Sequence, residues 1–474
     1  MLNIRQATFT IQHTSPRTLV PVGVGLAAVI LIVLSGSAMW MAAVAFSIVG
    51  LLVFVRLGAV RLLYAYAALM WILPRLTLPG VESIVPLHLL LIGGLGALWV
   101  ISLFTESQEK RGALLPPFWP LVALYSISGI IAFTTGRSDI DPTNGMKFLV
   151  EASVLAPLLY LLVWRYMRSP GDGERMILLL SLSTLAIGAL AFVFQGSAYW
   201  TPIPFEKDGL RLSGQYQFGG LYLIVTPVLM STQLSMLIPA LCSLAINSVS
   251  RHRRLAAIAL AVPLTLIILL AAGRSGWMGT AVGVGLVIFF SARFGKVSLP
   301  KVGVVLAVGG FVAIAAISSM GLINDEVLRR LTSFGSLLDD DTVVFRYWIW
   351  GLGLDLIGQN PLGVGYQVIL GLYGYPAHNQ YILWGLGSGI GGLVAVVSFL
   401  LASIIRIVRA LWASSQQVIS SRAVALGAVA AVVGAMIGIN GDNISTSVGW
   451  TQSTLWIMVG LGAASLARGL RTED

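Results

Sequence analysis

Apolar runs of about 17 to 25 residues, the length at which an α-helix crosses the hydrocarbon of a bilayer, recur along this chain from end to end. Hydrophobic residues make up 57% of the 474 positions and charged residues 10%, whereas an ordinary soluble domain carries roughly 25% charged residues. The bilayer is therefore the solvent in which the fold must be argued. The expected fold is an all-α polytopic membrane protein with about fourteen transmembrane helices. They start near Val20, Met39, Ala59, Leu87, Phe118, Met146, Met176, Phe218, Leu255, Gly276, Val302, Tyr381, Ala423 and Val448. The stretch from Gly219 to Asn247 is long for one span and short for two. A polar stretch of about 18 residues precedes the first run without a convincing cleavage pattern, so Val20 onward reads as a retained span.

The formal net charge of +10 does not point to nucleic acid, because the basic residues stand in twos and threes between apolar runs rather than in one stripe. With the N-terminus inside, about 20 of the 29 basic residues fall on the cytoplasmic side, as the positive-inside rule requires. Arg251, Arg253, Arg254, Arg293, Lys296, Arg406 and Arg409 belong to that set, and both termini are expected in the cytoplasm. The one cysteine, Cys242, lies in an apolar run, which excludes a disulfide framework and a thiolate metal site.

Two external segments are long enough to hold a site, Gln195 to Gln217 and Gly321 to Asn379, and the second is too apolar and aromatic for disorder. Within it, Val343 to Ile357 reads as an amphipathic helix lying at the membrane interface. Nucleotide sugars are not supplied outside, so chemistry there needs a donor activated by other means, such as a lipid diphosphate, with cations to bind it and a base for the acceptor. Of four histidines, His378 alone is external, just ahead of an apolar helix. Imidazole there suits proton transfer from a hydroxyl, while the bland alternative is a loop histidine at a helix start. Arg274 sits in a hairpin so short that two spans must meet at it, placed to grip a phosphate or to snorkel. Arg211 and Arg346 lie on the same face as diphosphate-binding candidates or headgroup anchors. Asp339, Asp340 and Asp341 read as a solvated loop rather than a metal site. Lys147 and Glu151 read as an intrahelical ion pair, and Gly385, Gly387, Gly389, Gly391 and Gly392 as close-packing positions. Trp348, Trp350, Tyr366, Tyr373 and Tyr375 read chiefly as an interfacial belt that could also stack on sugars.

Taken in order, Arg211-Leu212-Ser213-Gly214, Gly273-Arg274-Ser275, Arg346-Tyr347-Trp348, Asn360-Pro361-Leu362-Gly363-Val364-Gly365 and His378-Asn379-Gln380-Tyr381 with Gly391-Gly392-Leu393 form a pattern that resembles the O-antigen ligase and polysaccharide polymerase superfamily. The resemblance is clearest from Arg211 to Leu393, and the first two hundred residues match in topology alone. It implies a glycosyltransferase that moves a glycan from undecaprenyl diphosphate to an acceptor hydroxyl at the periplasmic face of a bacterial inner membrane, without metal, nucleotide or other cofactor. His378 would be the base, Arg211, Arg274 and Arg346 would hold the diphosphate, and Asn379, Tyr347 and Trp348 would contact the acceptor or sugar. The partners implied are the lipid-linked glycan, a glycan or lipid A core acceptor, membrane lipids and a chain-length regulator. Many relatives carry a glutamate where this chain has Gly387-Ser388-Gly389. The organisation expected is an N-terminal bundle over 1–200, a core over 201–404 with the periplasmic loop 321–379, and C-terminal helices over 405–474.

Two other classes fit a chain of this kind. A transporter or flippase without catalysis would place ionisable groups or broken helices near the bilayer midplane, and His88 is almost the only deep ionisable residue legible here. A peptidoglycan polymerase would use the same kind of donor, but with fewer spans and an external aspartate.

Overall fold

The computed structural model describes residues 58–71, 92, 94, 96, 115–136, 142–167, 169–194, 197, 200–201, 214–218, 221–271, 273–296, 341–413, 419–441 and 450–469. The spans expected from Val20, Met39 and Val302 lie outside these residues, as do most of the span from Leu87, the end of the chain, Arg211 and His88. In chain order the helices are α1 (Ala59–Leu69), α2 (Trp119–Thr135), α3 (Pro142–Leu149), α4 (Ala156–Tyr166), α5 (Pro170–Phe194), α6 (Pro227–Asn247), α7 (Arg251–Ala271) and α8 (Arg274–Arg293). They continue as α9 (Asp341–Gln359), α10 (Val368–Tyr373), α11 (Gln380–Ala413), α12 (Ile419–Gly438) and α13 (Trp450–Gly469). Among the described residues, five helices are long and apolar enough to cross a membrane: α5, α6, α7, α8 and α11. The protein is an α-helical membrane protein.

One short sheet interrupts the helices. Strands β1 (Trp200–Thr201), β2 (Gly214–Phe218) and β3 (Leu221–Val225) form an antiparallel ribbon in the order β1-β2-β3, with Gln215 opposite Ile224 and Phe218 opposite Leu221. The eighth span therefore does not begin at Phe218. The helix waits for Pro227 at its first position, with Thr226 accepting a hydrogen bond from the Leu229 amide at 3.3 Å. This resolves the awkward length of the 219–247 stretch into a hairpin strand and one helix.

Helix α6 is the axis of the bundle. Leu229, Met230, Leu234, Met236, Leu237, Leu241 and Leu244 are all buried, and α5, α7, α8, α12 and α13 pack around it. The approach of α8 and α12 is set by missing side chains. A Cβ on Gly276 would strike the Ser231 backbone, one on Gly279 the Gly434 carbonyl, and one on Gly283 the ring of Pro239. In lipid, where apolar contact alone gives helices no preference for each other, such backbone-to-backbone packing supplies dispersion contacts. The outward faces carry Ile127 on α2, Leu182 and Val193 on α5, Ile258 and Val262 on α7, Phe289 on α8 and Val394 on α11, all exposed, as a surface solvated by acyl chains requires.

The ion pair expected between Lys147 and Glu151 involves the Lys147 side chain, which lies outside the described residues. Between α3 and α4 the turns widen into a π-helical segment, Val150–Leu155. Glu151 is 4% exposed and acts electrostatically on the Tyr66 hydroxyl. It is therefore a deep ionisable residue among the described ones. Tyr66 donates to Ser453 at 2.8 Å, and the Gln452 amide nitrogen reaches the Ala152 carbonyl at 3.2 Å.

Candidate functional site

Helix α11 is two helices in series. Gly389 has φ 67° and ψ −179°, a conformation open essentially to glycine alone, so the backbone breaks between a buried half-helix, Gln380–Ser388, and a longer segment running to Ala413. A break inside a membrane helix must be satisfied by protein, and the loop Asn360–Gly365 does so. The amides of Val364 and Gly365 donate to the Leu386 carbonyl at 2.8 and 3.0 Å, and the Ile390 amide donates to the Pro361 carbonyl at 2.9 Å. Gly363 and Gly365 are left-handed, with φ 95° and 108°, and a Cβ on Gly363 would meet the Gly389 amide and the Ala132 side chain. Of the glycines read as packing positions, Gly385 lies against Ile357, Gly387 against the ring of Tyr366 and Gly392 against Ser388 and Ser128. Gly389 has the additional duty of making the break. Tyr366 does not join the interfacial aromatics: it is 2% exposed, and its hydroxyl bonds those of Tyr125 and Ser153, each at 2.9 Å.

The half-helix carries His378 at its head. Asn379 is buried, and its side-chain oxygen accepts from the amides of Tyr381 and Ile382 at 3.0 and 3.3 Å, capping the first turn. Tyr381 donates its hydroxyl to the Met436 carbonyl in the last turn of α12 at 2.8 Å. His378 itself has φ 48°, a left-handed conformation rare for a residue with a Cβ. On the opposite side stands α9, whose Gly353 meets Ile382 and whose Ile357 meets Gly385. Trp350 of α9 donates its indole N–H to the Ala377 carbonyl at 2.8 Å. Arg346 lies one turn earlier on the same face. Burial, and after it the Arg346 guanidinium, pushes His378 down to about 4 from its ordinary 6.5. Both favour the neutral imidazole, which keeps a lone pair for a proton.

Arg274 is the first residue of α8, separated from the end of α7 by two residues. The Trp277 indole latches this corner by donating to the Ile268 carbonyl at 2.8 Å. The chain ends of α8 and α11 meet at α12. Both helices pack on the 3-10 turn Ile439–Gly441 that follows it, Gly279 touches Gly434, and Tyr381 bonds Met436. Arg274, Arg346, His378 and Asn379 therefore gather at one end of the bundle. Tyr347 and Trp348, each 52% exposed, lie on the outer side of α9, where Tyr347 packs edge-on against Trp350 and Trp348 tilts on Phe345. Arg211 lies outside the described residues, although β2 begins three residues after it.

No family model matches this chain, and no curated protein matches it either. What bears on function is therefore the residues and their arrangement. Sequence reasoning missed the Trp350 link to the histidine segment and the plugging of the broken helix by residues 360–365. The signal for the second was present in the alternating glycines of Asn360-Pro361-Leu362-Gly363-Val364-Gly365 and in Gly387-Ser388-Gly389, two irregular stretches that only make sense as partners.

Proposed function

We propose that this chain is an integral membrane glycosyltransferase of surface polysaccharide assembly, of the O-antigen ligase or polymerase type. In this reading it lies in a bacterial inner membrane with about fourteen spans and both termini cytoplasmic. It transfers a glycan from undecaprenyl diphosphate to an acceptor hydroxyl at the periplasmic face. The observation that carries the reading is a desolvated, neutral histidine beside an arginine, at the same end of the bundle as the arginine that opens α8.

The chemistry follows from the charges. His378 takes the proton of the acceptor hydroxyl as its oxygen attacks the anomeric carbon, and the bond from that carbon to the diphosphate breaks. Negative charge grows on the leaving diphosphate, which Arg274 and Arg346, with Arg211, stabilise from fixed positions. Asn379 holds the histidine turn, and Tyr347 and Trp348 offer rings to a sugar. No metal or cofactor takes part. The test is to replace His378 and Arg274 singly with alanine in membrane-inserted protein and follow glycan by electrophoresis. Accumulation of untransferred lipid-linked glycan is expected, and unchanged polysaccharide length and yield in both variants would sink the proposal.

A second reading, a transporter or flippase without catalysis, is favoured by two particular features, the break in α11 at Gly389 and the buried carboxyl of Glu151. Reconstituted vesicles separate the two. A transferase forms a new glycosidic bond when donor and acceptor are on one side, whereas a transporter moves lipid-linked glycan and leaves its covalent structure unchanged.

A further inference from the structure

His378 is gripped from both neighbours. On one side Asn379 caps α11 with its side chain. On the other, Ala377 is fully buried, and its carbonyl receives the indole N–H of Trp350. A buried carbonyl needs a donor, so this bond fixes the plane of the Ala377–His378 peptide and holds His378 in its left-handed conformation. Trp350 shares its helix face with Arg346, so the bond that orients the histidine also sets it against the guanidinium. We infer that Trp350 is a positioning residue whose indole N–H keeps the His378 imidazole turned into its desolvated place beside Arg346. This deepens the transferase reading and rests on it for its catalytic consequence, although the orientation of the imidazole can be measured without any transfer.

Arg346 acts on His378 from α9, while Tyr375 and Tyr381 stand three residues to either side of it in the chain and Arg274 opens α8 at the same end of the bundle. Among the described residues Arg346 is the charged group that acts on it. Loss of the indole N–H frees the Ala377 carbonyl to turn toward water, and the imidazole follows it into solvent and away from the guanidinium. Both changes favour the protonated form.

The full chain, labelled at histidine and held in lipid nanodiscs, reports this directly, because four histidines are few enough to resolve by nuclear magnetic resonance and His378→Asn assigns the signal. Wild-type His378 is expected to titrate at about 4. Trp350→Phe is expected to raise the midpoint toward 6.5 by about one unit or more, and the acid limb of glycan transfer should move with it while KM for the lipid-linked donor changes little. Should Trp350→Phe fail to fold, benzothienylalanine at position 350 removes the N–H while keeping the ring shape. An unshifted His378 in either substituted protein overturns the inference. A shifted His378 in a protein that transfers no glycan, with the wild type equally inactive, leaves the positioning role standing and removes the transferase reading instead.

Discussion

The state of one imidazole sets the pH behaviour expected of the protein. His378 binds its proton less tightly in the folded chain than in the unfolded one, because burial and Arg346 both oppose the charge. Its contribution to stability is therefore complete above about 6.5 and is lost as pH falls from there toward 4, at no more than about 1.4 kcal/mol per pH unit. Thermal unfolding of the purified protein between these limits should show a slope that His378→Asn flattens, and an identical slope in the variant would contradict the burial. In catalysis the same shift keeps the base neutral at ordinary pH, so transfer should be insensitive to pH above about 5. His378→Ala should lower transfer by roughly 10²- to 10⁴-fold. At Arg274 the shape of the cation matters as well as its charge, since a planar fork grips a diphosphate with paired hydrogen bonds that an ammonium cannot copy. Arg274→Lys is accordingly expected to recover only part of what Arg274→Ala loses, as measured by kcat/KM for the lipid-linked donor.

Helix α11 and the loop that plugs it behave as one element. The break at Gly389 frees a carbonyl and an amide in the middle of a buried helix, and the Asn360–Gly365 loop fits because its own glycines allow the backbones to touch. A side chain at Gly389 must both adopt a conformation that costs of order 1 to 3 kcal/mol and displace the backbone of Pro361 and Leu362. Gly389→Ala should therefore lower the unfolding temperature sharply and disturb the half-helix that carries His378. Gly391→Ala, two residues on, would meet nothing nearer than the Ser128 hydroxyl at 3.7 Å and should be nearly silent. Equal effects of the two substitutions, in thermal unfolding of the detergent-purified protein, would count against the plug.

For the molecule as a whole, the proposed orientation makes opposite ends of the bundle opposite sides of the membrane. Tyr375, exposed three residues before the histidine, and Lys296, exposed beyond the far end of α8, are suitable reporters in a Cys242→Ser background. Tyr375→Cys should react with a membrane-impermeant maleimide in intact spheroplasts, and Lys296→Cys only after permeabilisation. The reverse pattern would turn the protein over and remove the periplasmic site with it. The bundle should also tolerate polar substitution poorly on its outward faces, at Val262 or Val394, because those side chains face hydrocarbon.

Sequence alone determined the class of structure, because a run of apolar residues long enough to cross hydrocarbon has one economical way of satisfying its backbone, and that way is a helix. Helices near Ala59, Phe118, Met176, Leu255, Gly276, Tyr381 and Ala423 were legible for that reason, as was the placement of Arg274 at a tight corner and of His378 before a helix. Tertiary structure decided what depends on a second segment distant in the chain. The ribbon ahead of Pro227 needs strands that pair with one another, and the break at Gly389 needs the loop at 360–365 to complete its hydrogen bonds. The low proton affinity of His378 needs α9 folded over it. Local patterning records the demands of the nearest turn and of the solvent, whereas burial, backbone satisfaction and charge proximity arise only when remote residues share one space.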